Sequence, residues 1–148
     1  MILTERKPFG VIKGILEENG FKKIAILACN GCARFCETGG ESYLNELAKR
    51  LEENGFEVKI KKLIPLLCDI DLIKREVSEE EIKEVDCIIP LACIAGIYAT
   101  KKLFPNKKII EAIDTIGIAI RDERGDIFLV KDLREEIEEI RKEIELVS

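Results

Sequence analysis

The sequence predicts one α/β domain over residues 1–148, with a mostly parallel sheet, flanking helices, a C-terminal hairpin and an amphipathic last helix. Three observations support this fold class. The chain has 148 residues, which is near the usual size of one domain. No Pro/Gly/Ser-rich linker, internal repeat or block of like charge divides it. Segments typical of strands alternate with segments typical of helices, as in parallel sheets with right-handed crossovers.

Four short apolar runs are the candidate strands of the parallel sheet. The run Ile24–Ala28 is continuous and too short for a surface helix, so it suits a strand buried on both faces. The runs Phe56–Ile60, Val85–Leu91 and Lys108–Ala112 follow it along the chain. Because Pro90 cannot donate a backbone hydrogen bond, we expect it where strand pairing stops.

Glycine or capping residues mark the ends of the predicted helices. Gly20 and Gly55 each follow a helical pattern, in the left-handed position that glycine tolerates best. Ser78–Glu81 has the pattern of a capping box, which begins a short helix. The predicted helices cover Phe9–Asn19, Glu41–Asn54, a short segment after Ser78, and Ile97–Phe104.

The last third of the chain predicts a hairpin and one more helix. Ile116–Ile120 and Asp126–Val130 are strand-like runs on either side of the turn Glu123–Gly125. Asp132 is the expected cap of the final helix. That helix places apolar side chains on one stripe, which consists of Leu133, Ile137, Ile140 and Ile144.

The composition restricts the chemistry that the domain can perform. Hydrophobic residues make up 47% of the chain and charged residues 36%, which excludes a disordered or fibrous protein. The chain has six cysteines and no histidine. The missing histidine excludes a Ser-His-Asp or Cys-His catalytic group, a histidine proton shuttle and any zinc site that needs imidazole. Any metal or redox chemistry must therefore use thiolates.

The charge and the apolar pattern indicate which partners are not expected. Lys and Arg number 24 and Asp and Glu number 29, for a net charge of −5, so the net-basic footprint of a nucleic-acid-binding protein is missing. No apolar stretch approaches ~18 residues, and the N-terminus has no apolar signal core, so we expect a cytoplasmic protein without a membrane partner. Disulfides are rare in that compartment, although the abundant Ile, Lys and Glu resemble hyperthermophile proteins, where they do occur.

Three of the cysteines lie close together in one loop. Cys29, Cys32 and Cys36 form a C-x2-C-x3-C array directly after the first predicted strand. Gly31 relieves steric limits inside this array, so a tight loop can turn several sulfurs toward one centre while backbone N–H groups face the thiolates. A loop flanked by glycines is a poor place for small core residues, so we interpret the array as a site.

The predicted topology brings more thiols to the same edge. Loops that leave the carboxyl ends of parallel strands share one edge of the sheet, where ligands usually bind. Cys93 directly follows the third predicted strand, and Cys68 lies in the connection after the second. Cys87 is six residues before Cys93 inside a strand, roughly 20 Å away at about 3.3 Å per residue, so we assign it to the core. Cys93 is the best fourth ligand beside the loop, and Cys68 is a spare, an alternate ligand or part of a second site.

The residues leave several chemistries open. A 4Fe–4S cluster and a zinc ion both accept four cysteines, and three thiols in one loop favour the cluster, because structural zinc sites usually use two separate C-x2-C pairs. Cys29 and Cys32 also resemble the dithiol of a thioredoxin-type oxidoreductase. The alternatives to an electron-transfer protein are therefore a zinc-stabilised interaction module and a dithiol oxidoreductase.

Four motifs together resemble a known family. They match in order and spacing and span about two thirds of the chain. The motifs are Ile2–Pro8, Cys29-Asn-Gly-Cys32 with Cys36 and Gly39-Gly40, Pro65-x-x-Cys68-Asp69, and Cys93-x-x-Gly96. The family is the small, cysteine-bearing subunit of iron–sulfur-type methylenetetrahydrofolate reductases, a domain also fused to the C-terminus of some of these reductases. Its most specific motif is the Asn-Gly-Cys core within the full cysteine array.

The resemblance implies a partner, a cofactor and a set of ligands. The partner is a flavin-containing methylenetetrahydrofolate reductase catalytic subunit, which would receive electrons from a redox donor protein through an iron–sulfur cluster in one-carbon metabolism. The chain itself has no flavin-binding barrel, so alone it should not reduce a pterin. The metal ligands carry over onto five residues, which are Cys29, Cys32, Cys36, Cys68 and Cys93. The turn after Cys93 departs from the family, which commonly has glycine directly after that cysteine.

Overall fold

The computed structural model describes residues 1–144 and 146. Strands and helices alternate through most of this length. The strands are β1 (Ile2–Arg6), β2 (Lys23–Cys29), β3 (Glu57–Ile64), β4 (Cys87–Leu91), β5 (Lys108–Ile109), β6 (Ile113–Arg121) and β7 (Ile127–Asp132). The helices are α1 (Phe9–Glu18), α2 (Cys32–Phe35), α3 (Gly40–Glu53), α4 (Ile70–Glu76), α5 (Glu79–Lys83), α6 (Ile94–Leu103) and α7 (Arg134–Ile144).

Strands β2 to β5 form the parallel sheet, and the predicted fold class is confirmed. The strand order is β3-β2-β4-β5, and every neighbouring pair is parallel. All residues of β2 after Lys23 are buried, because helices cover both faces of the sheet. Ile24 and Ile26 pack in a cluster with α1 and α3, whereas Ala25 and Leu27 pack on the opposite face with α4, α5 and α6. This alternation follows from the two-residue period of a strand.

The hairpin forms a second, antiparallel sheet. Strands β6 and β7 pair with each other, as predicted, and β1 adds to β6 to give the order β1-β6-β7. The final helix α7 packs through Ile137 and Ile144 on Ile94, the first residue of α6. The carboxylate of Asp132 accepts the backbone N–H of Arg134, the first residue of α7, at 2.9 Å. Asp132 therefore lies one residue before the N-cap position that the sequence predicted for it, and it forms a turn at the end of β7.

Several predicted boundaries differ from the structure. Strand β3 runs to Ile64, four residues further than expected, and α6 begins at Ile94, three residues earlier. The expected strand Lys108–Ala112 has only two residues, because the N–H of Ile110 makes the last ladder bond, to the carbonyl of Ile88. The sequence pattern does not predict β1, α2 or α4, which are short or pair with distant parts of the chain.

Pro90 lies inside the central strand β4 without breaking the sheet. It is opposite Leu27 in the register with β2. Since residues of a strand alternate in direction, the nitrogen of Pro90 faces the same side as Ile88, toward β5. The ladder between β4 and β5 stops at Ile88 and Ile109, so no partner is present for the missing N–H. The expectation that Pro90 sits where pairing stops is confirmed for this side of the strand.

Within the part of the chain that the structure describes, no helix is both long enough and apolar enough to cross a membrane.

Cys87 lies in the core, as the strand argument predicted. It is the first residue of β4, is fully buried and packs in the cluster that includes Ile24 and Ile110. Burial raises the pKa of the Cys87 thiol to about 12, and the nearby Asp86 carboxylate adds to the shift. The side chain is therefore a neutral thiol at physiological pH and is separate from the other five cysteines in its chemistry.

The raised pKa of Cys87 predicts a loss of stability at alkaline pH. Folding raises the pKa of this thiol from 9.0 to about 12, so the neutral thiol stabilises the folded state fully below pH 9. This stabilisation is lost as the pH rises toward 12. The loss is at most roughly 4 kcal/mol, because each pKa unit corresponds to about 1.4 kcal/mol. We expect Cys87→Ala to be less stable than the wild type at pH 8 and the difference to shrink by pH 11. Urea unfolding of the reduced, metal-free proteins measures it, and a constant difference would contradict the assignment.

Candidate functional site

The candidate site lies where the two central strands of the parallel sheet send the chain in opposite directions. After β2 the chain crosses to β3 on one side of the sheet, and after β4 it crosses to β5 on the other. Such a switch point leaves a crevice at the carboxyl ends of the strands, where ligands usually bind. Cys29 is the last residue of β2, and Cys93 follows the end of β4 by two residues. Both thiols are thus placed at this crevice by the strands themselves.

The first part of the cysteine loop turns tightly around the sulfur of Cys29. The N–H of Gly31 lies 3.3 Å from the Cys29 Sγ and donates to it. Helix α2 begins at the next residue, Cys32. A Cβ atom on residue 31 would lie 2.9 Å from the side chain of Leu66, so a larger residue does not fit without a shift. The loop therefore directs a backbone donor at the Cys29 sulfur.

The end of the loop is held against both central strands at Gly39. A Cβ atom at this position would lie 2.7 Å from the carbonyl oxygen of Cys29 and 2.9 Å from that of Leu91. These two atoms belong to the last residues of β2 and β4, so the loop backbone packs directly on the strand ends. Glycine is the residue that permits this approach. The packing determines where the loop stands above the crevice.

The third cysteine of the loop turns toward β1. The Sγ of Cys36 lies 3.6 Å from the carbonyl oxygen of Ile2. The next residue, Glu37, has a φ of 59°, which is an uncommon left-handed conformation for a side chain of this kind. Its carbonyl accepts a hydrogen bond of 2.7 Å from the Nε of Arg6. Strand β1 thus holds this end of the loop through the carbonyl of Ile2 and the side chain of Arg6.

Cys68 is close to the first two cysteines of the loop. It lies between β3 and α4, beside Asp69, whose carboxylate accepts the N–H of Leu72 at 3.3 Å and caps α4. Burial raises the pKa of the Cys68 thiol, and negative charge on Cys29 and Cys32 raises it further. Cys68 is nevertheless exposed to solvent on one side. It is therefore an accessible thiol within electrostatic reach of the loop.

Cys93 approaches the same two cysteines from the other strand. Burial raises the pKa of its thiol, and charge on Cys29 and Cys32 adds to the shift. The backbone N–H groups of Gly96 and Ala95 act in the opposite direction and lower the pKa, because they donate to the thiolate. Cys93 stands directly before α6, so these donors belong to the first turn of that helix. These donors offset only part of the effect of burial, so the net shift of the Cys93 pKa is upward.

The structure places two of the predicted ligands, Cys68 and Cys93, each within electrostatic range of two others, Cys29 and Cys32. These four residues come from three segments of the chain and meet at the carboxyl edge of the parallel sheet. Among residues 1–144 and 146, no group of three or more Cys, Asp, Glu or His side chains is placed to hold a metal ion. The ligand set thus stays a prediction, although the donors match in type: thiols with backbone N–H groups directed at their sulfurs.

A polar cavity lies beside the cysteine loop, at the start of α3. It has a volume of about 670 Å³. Its lining includes Arg6, Arg34 and Tyr43, together with the backbone of Gly39 and Gly40. The guanidinium carbon of Arg6 lies 3.8 Å from the centre of the Tyr43 ring. Burial raises the pKa of the Tyr43 hydroxyl, so this side chain stays neutral. The charged part of the lining is mixed, because Glu37 and Glu41 lie there with the two arginines.

The sequence pattern does not predict the part that β1 has in the site. Thr4 and Thr38 are buried, and their hydroxyl oxygens lie 2.6 Å apart in a hydrogen bond that joins β1 to the loop. Thr38 also donates to the carbonyl of Ala33 in α2 at 3.2 Å. The alternation of Ile2, Leu3 and Thr4 is too short to predict a strand by itself. The signal for β1 is non-local, since its partner strand lies at the other end of the chain.

Comparisons with protein-family models, with curated proteins and with solved structures found no match to this chain. The resemblance to the small subunit of methylenetetrahydrofolate reductases therefore depends on the motifs quoted above.

The close approach at Gly39 predicts a site-specific loss of stability. Gly39→Ala would place a methyl group against two carbonyl oxygens, and we expect it to lower the free energy of unfolding by about 1–3 kcal/mol. Gly14→Ala is a matched control, because a Cβ atom there meets nothing within 4 Å in the middle of α1. The control should raise stability by about 0.5–1 kcal/mol. Urea unfolding measures both, and equal stability of the two variants would contradict the packing described for the loop.

Proposed function

We propose that this protein is the iron–sulfur electron-transfer subunit of a flavin-containing methylenetetrahydrofolate reductase, and that it has no activity on a pterin by itself. Its proposed cofactor is a 4Fe–4S cluster. The observation that carries the proposal is the convergence of thiols from three segments at the switch point of the parallel sheet. Such a cluster needs four thiolates, which this edge can supply without histidine.

The proposed ligands differ in one residue from the set that the sequence favoured. Cys68 takes the fourth position in place of Cys36, because Cys68 is near Cys29 and Cys32 whereas Cys36 turns to the carbonyl of Ile2. Cys36 remains next to the site and is the alternate ligand. Cys93 completes the set from the far side of the crevice.

The chain supplies hydrogen-bond donors to two of the proposed ligands. The N–H of Gly31 donates to Cys29, and the N–H groups of Ala95 and Gly96 donate to Cys93. Hydrogen bonds to cysteine sulfur stabilise the reduced, more negative state and shift the reduction potential upward. A bound 4Fe–4S cluster supplies the transfer of single electrons. Burial of Cys29 keeps water from one side of the centre, while the exposed Cys68 marks the side that solvent and partners reach.

The proposal includes a cellular context. In one-carbon metabolism, a redox donor protein would reduce this subunit, which would pass electrons to the flavin of the catalytic subunit. We place the protein in the cytoplasm, because all six cysteines are free thiols and a site built from reduced thiols suits a reducing compartment.

Metal analysis of protein purified without oxygen tests the proposal. We expect a brown protein with about four iron atoms and about four sulfides per chain. Cys32→Ser should lose most of the iron, because a serine hydroxyl is a poor substitute for thiolate at such a cluster. Cys87→Ala is the matched control: it also removes one thiol, but from the core, and it should keep the iron.

Two further variants identify the fourth ligand, and two other outcomes would contradict the proposal. Cys68→Ser should lose iron and Cys36→Ser should keep it; the reverse result would restore the ligand set that the sequence favoured. One zinc per chain and no iron would contradict the proposal and indicate a zinc-stabilised module, in which a chelator lowers the thermal stability. A metal-free protein with a reversible disulfide between Cys29 and Cys32 would indicate a dithiol oxidoreductase instead.

A further inference from the structure

Helix α6 begins directly after Cys93, and the first N–H groups of a helix have no partner inside it. The first bond of this helix runs from the N–H of Ile97 to the carbonyl of Cys93 at 3.1 Å. The N–H groups of Ala95 and Gly96 are directed toward the Cys93 sulfur. The remaining donor of the turn is the N–H of Ile94, the residue next to Cys93. Because Ile94 is buried, this donor needs an acceptor from another part of the chain.

Thr115 supplies that acceptor from strand β6. Its Oγ1 accepts the N–H of Ile94 at 2.8 Å. Thr115 is 3% exposed, so water does not compete for this hydrogen bond. The side chain of Ile94 is held as well, because it packs on Ile137 and Ile144 of α7. The residue that follows Cys93 is thus fixed through both its backbone and its side chain.

Thr115 occupies a buried position of the antiparallel sheet. It is the cross-strand partner of Thr4 in β1, and Thr4 is buried to the same extent. Further along the sheet, β6 and β7 carry an exposed apolar face, which includes the cross-strand partners Ile120 and Phe128. A buried hydroxyl without a hydrogen bond is costly, so the two buried threonines indicate specific polar contacts.

The cross-strand partner of Thr115 reaches the other side of the thiol site. The hydroxyl oxygen of Thr4 lies 2.6 Å from that of Thr38, in the cysteine loop. Thr38 donates its single hydroxyl hydrogen to the carbonyl of Ala33, so Thr4 is the donor between the two threonines. The pair of Thr4 and Thr115 therefore contacts two of the segments that place thiols at the crevice, which are the loop and the start of α6.

We infer that Thr115 is a positioning residue for Cys93: its hydroxyl holds the first N–H of α6 and thereby fixes the direction of the Cys93 thiol at the crevice. The hydroxyl acts on this thiol through the backbone of Ile94. That the thiol is a ligand of an iron–sulfur cluster rests on the proposed function. The positioning itself is a property of the chain without a metal.

Alkylation of the reduced, metal-free protein with iodoacetamide tests the inference, with each cysteine followed by peptide mass spectrometry. Thr115→Val keeps the shape of the side chain and suits a strand, but it removes the acceptor. Cys93 is half-buried, and we expect it to react about tenfold faster in this variant, because the released turn exposes its thiol. Thr115→Ser keeps the hydroxyl and should react like the wild type. The fully buried Cys87 should be unchanged in both variants.

Thr100→Val is the matched control. Thr100 is another buried threonine, and its hydroxyl donates to the carbonyl of Gly96 at 2.8 Å. The control therefore removes a hydrogen bond within α6 but leaves the N–H of Ile94 paired with Thr115. Cys93 should react in it at the wild-type rate.

The same variants, purified without oxygen, are compared for the release of iron to a chelator. Thr115→Val should release iron about tenfold faster than the wild type, and Thr115→Ser at the wild-type rate, because residues behind a ligand hold it in place. Release from Thr115→Val at the wild-type rate would overturn the inference.

Three alkylation results would also overturn it. They are an unchanged rate at Cys93 in Thr115→Val, an equal acceleration at Cys87, which indicates a general loss of stability, and an equal effect of Thr100→Val. A wild type without iron would contradict the proposed cluster, while the alkylation rates would still decide the role of Thr115.

Discussion

The arrangement of the site depends on one close approach between the cysteine loop and the parallel sheet. Gly39 packs against the carbonyl oxygens that end β2 and β4, so the loop is attached to both strands at the point where they diverge. This packing sets the position of the loop relative to Cys29, at the end of β2, and to Cys93, beyond the end of β4. Protein interiors are close-packed, so a backbone held by such a contact has little free volume into which it can shift.

The parallel sheet and the cysteines at its edge could be predicted because their signals are local. The continuous apolar run of β2 is typical of a strand covered on both faces, and its length excludes a surface helix. Once β2 and β4 are placed, topology alone brings Cys29 and Cys93 to one edge. The assignment of Cys87 to the core followed from the rise of a strand, and its full burial confirms it.

The rest of the site could not be predicted, because it depends on contacts between distant parts of the chain. Strand β1 pairs with β6, where Ile2 is opposite Ile118, and no local periodicity contains that information. The direction of Cys36 follows from this pairing, because the carbonyl that it contacts belongs to β1. A spacing of three or four residues fixes how far apart two cysteines are along the chain, but not which side of a loop each faces. Spacing favoured Cys36 over Cys68 as a ligand, and the choice between them stays a prediction.

The thiols and the exposed apolar face lie on different sheets, and β1 connects the two. The parallel sheet carries the thiols at its carboxyl edge, while the antiparallel sheet carries the exposed apolar face. Strand β1 belongs to the second sheet but holds the loop of the first, through the hydrogen bonds of Arg6 with Glu37 and of Thr4 with Thr38. Strand β1 is itself paired with β6, which carries the exposed face. The position of the loop therefore depends on the pairing of β1 with β6 as well as on the parallel sheet, because both sheets contact the loop directly.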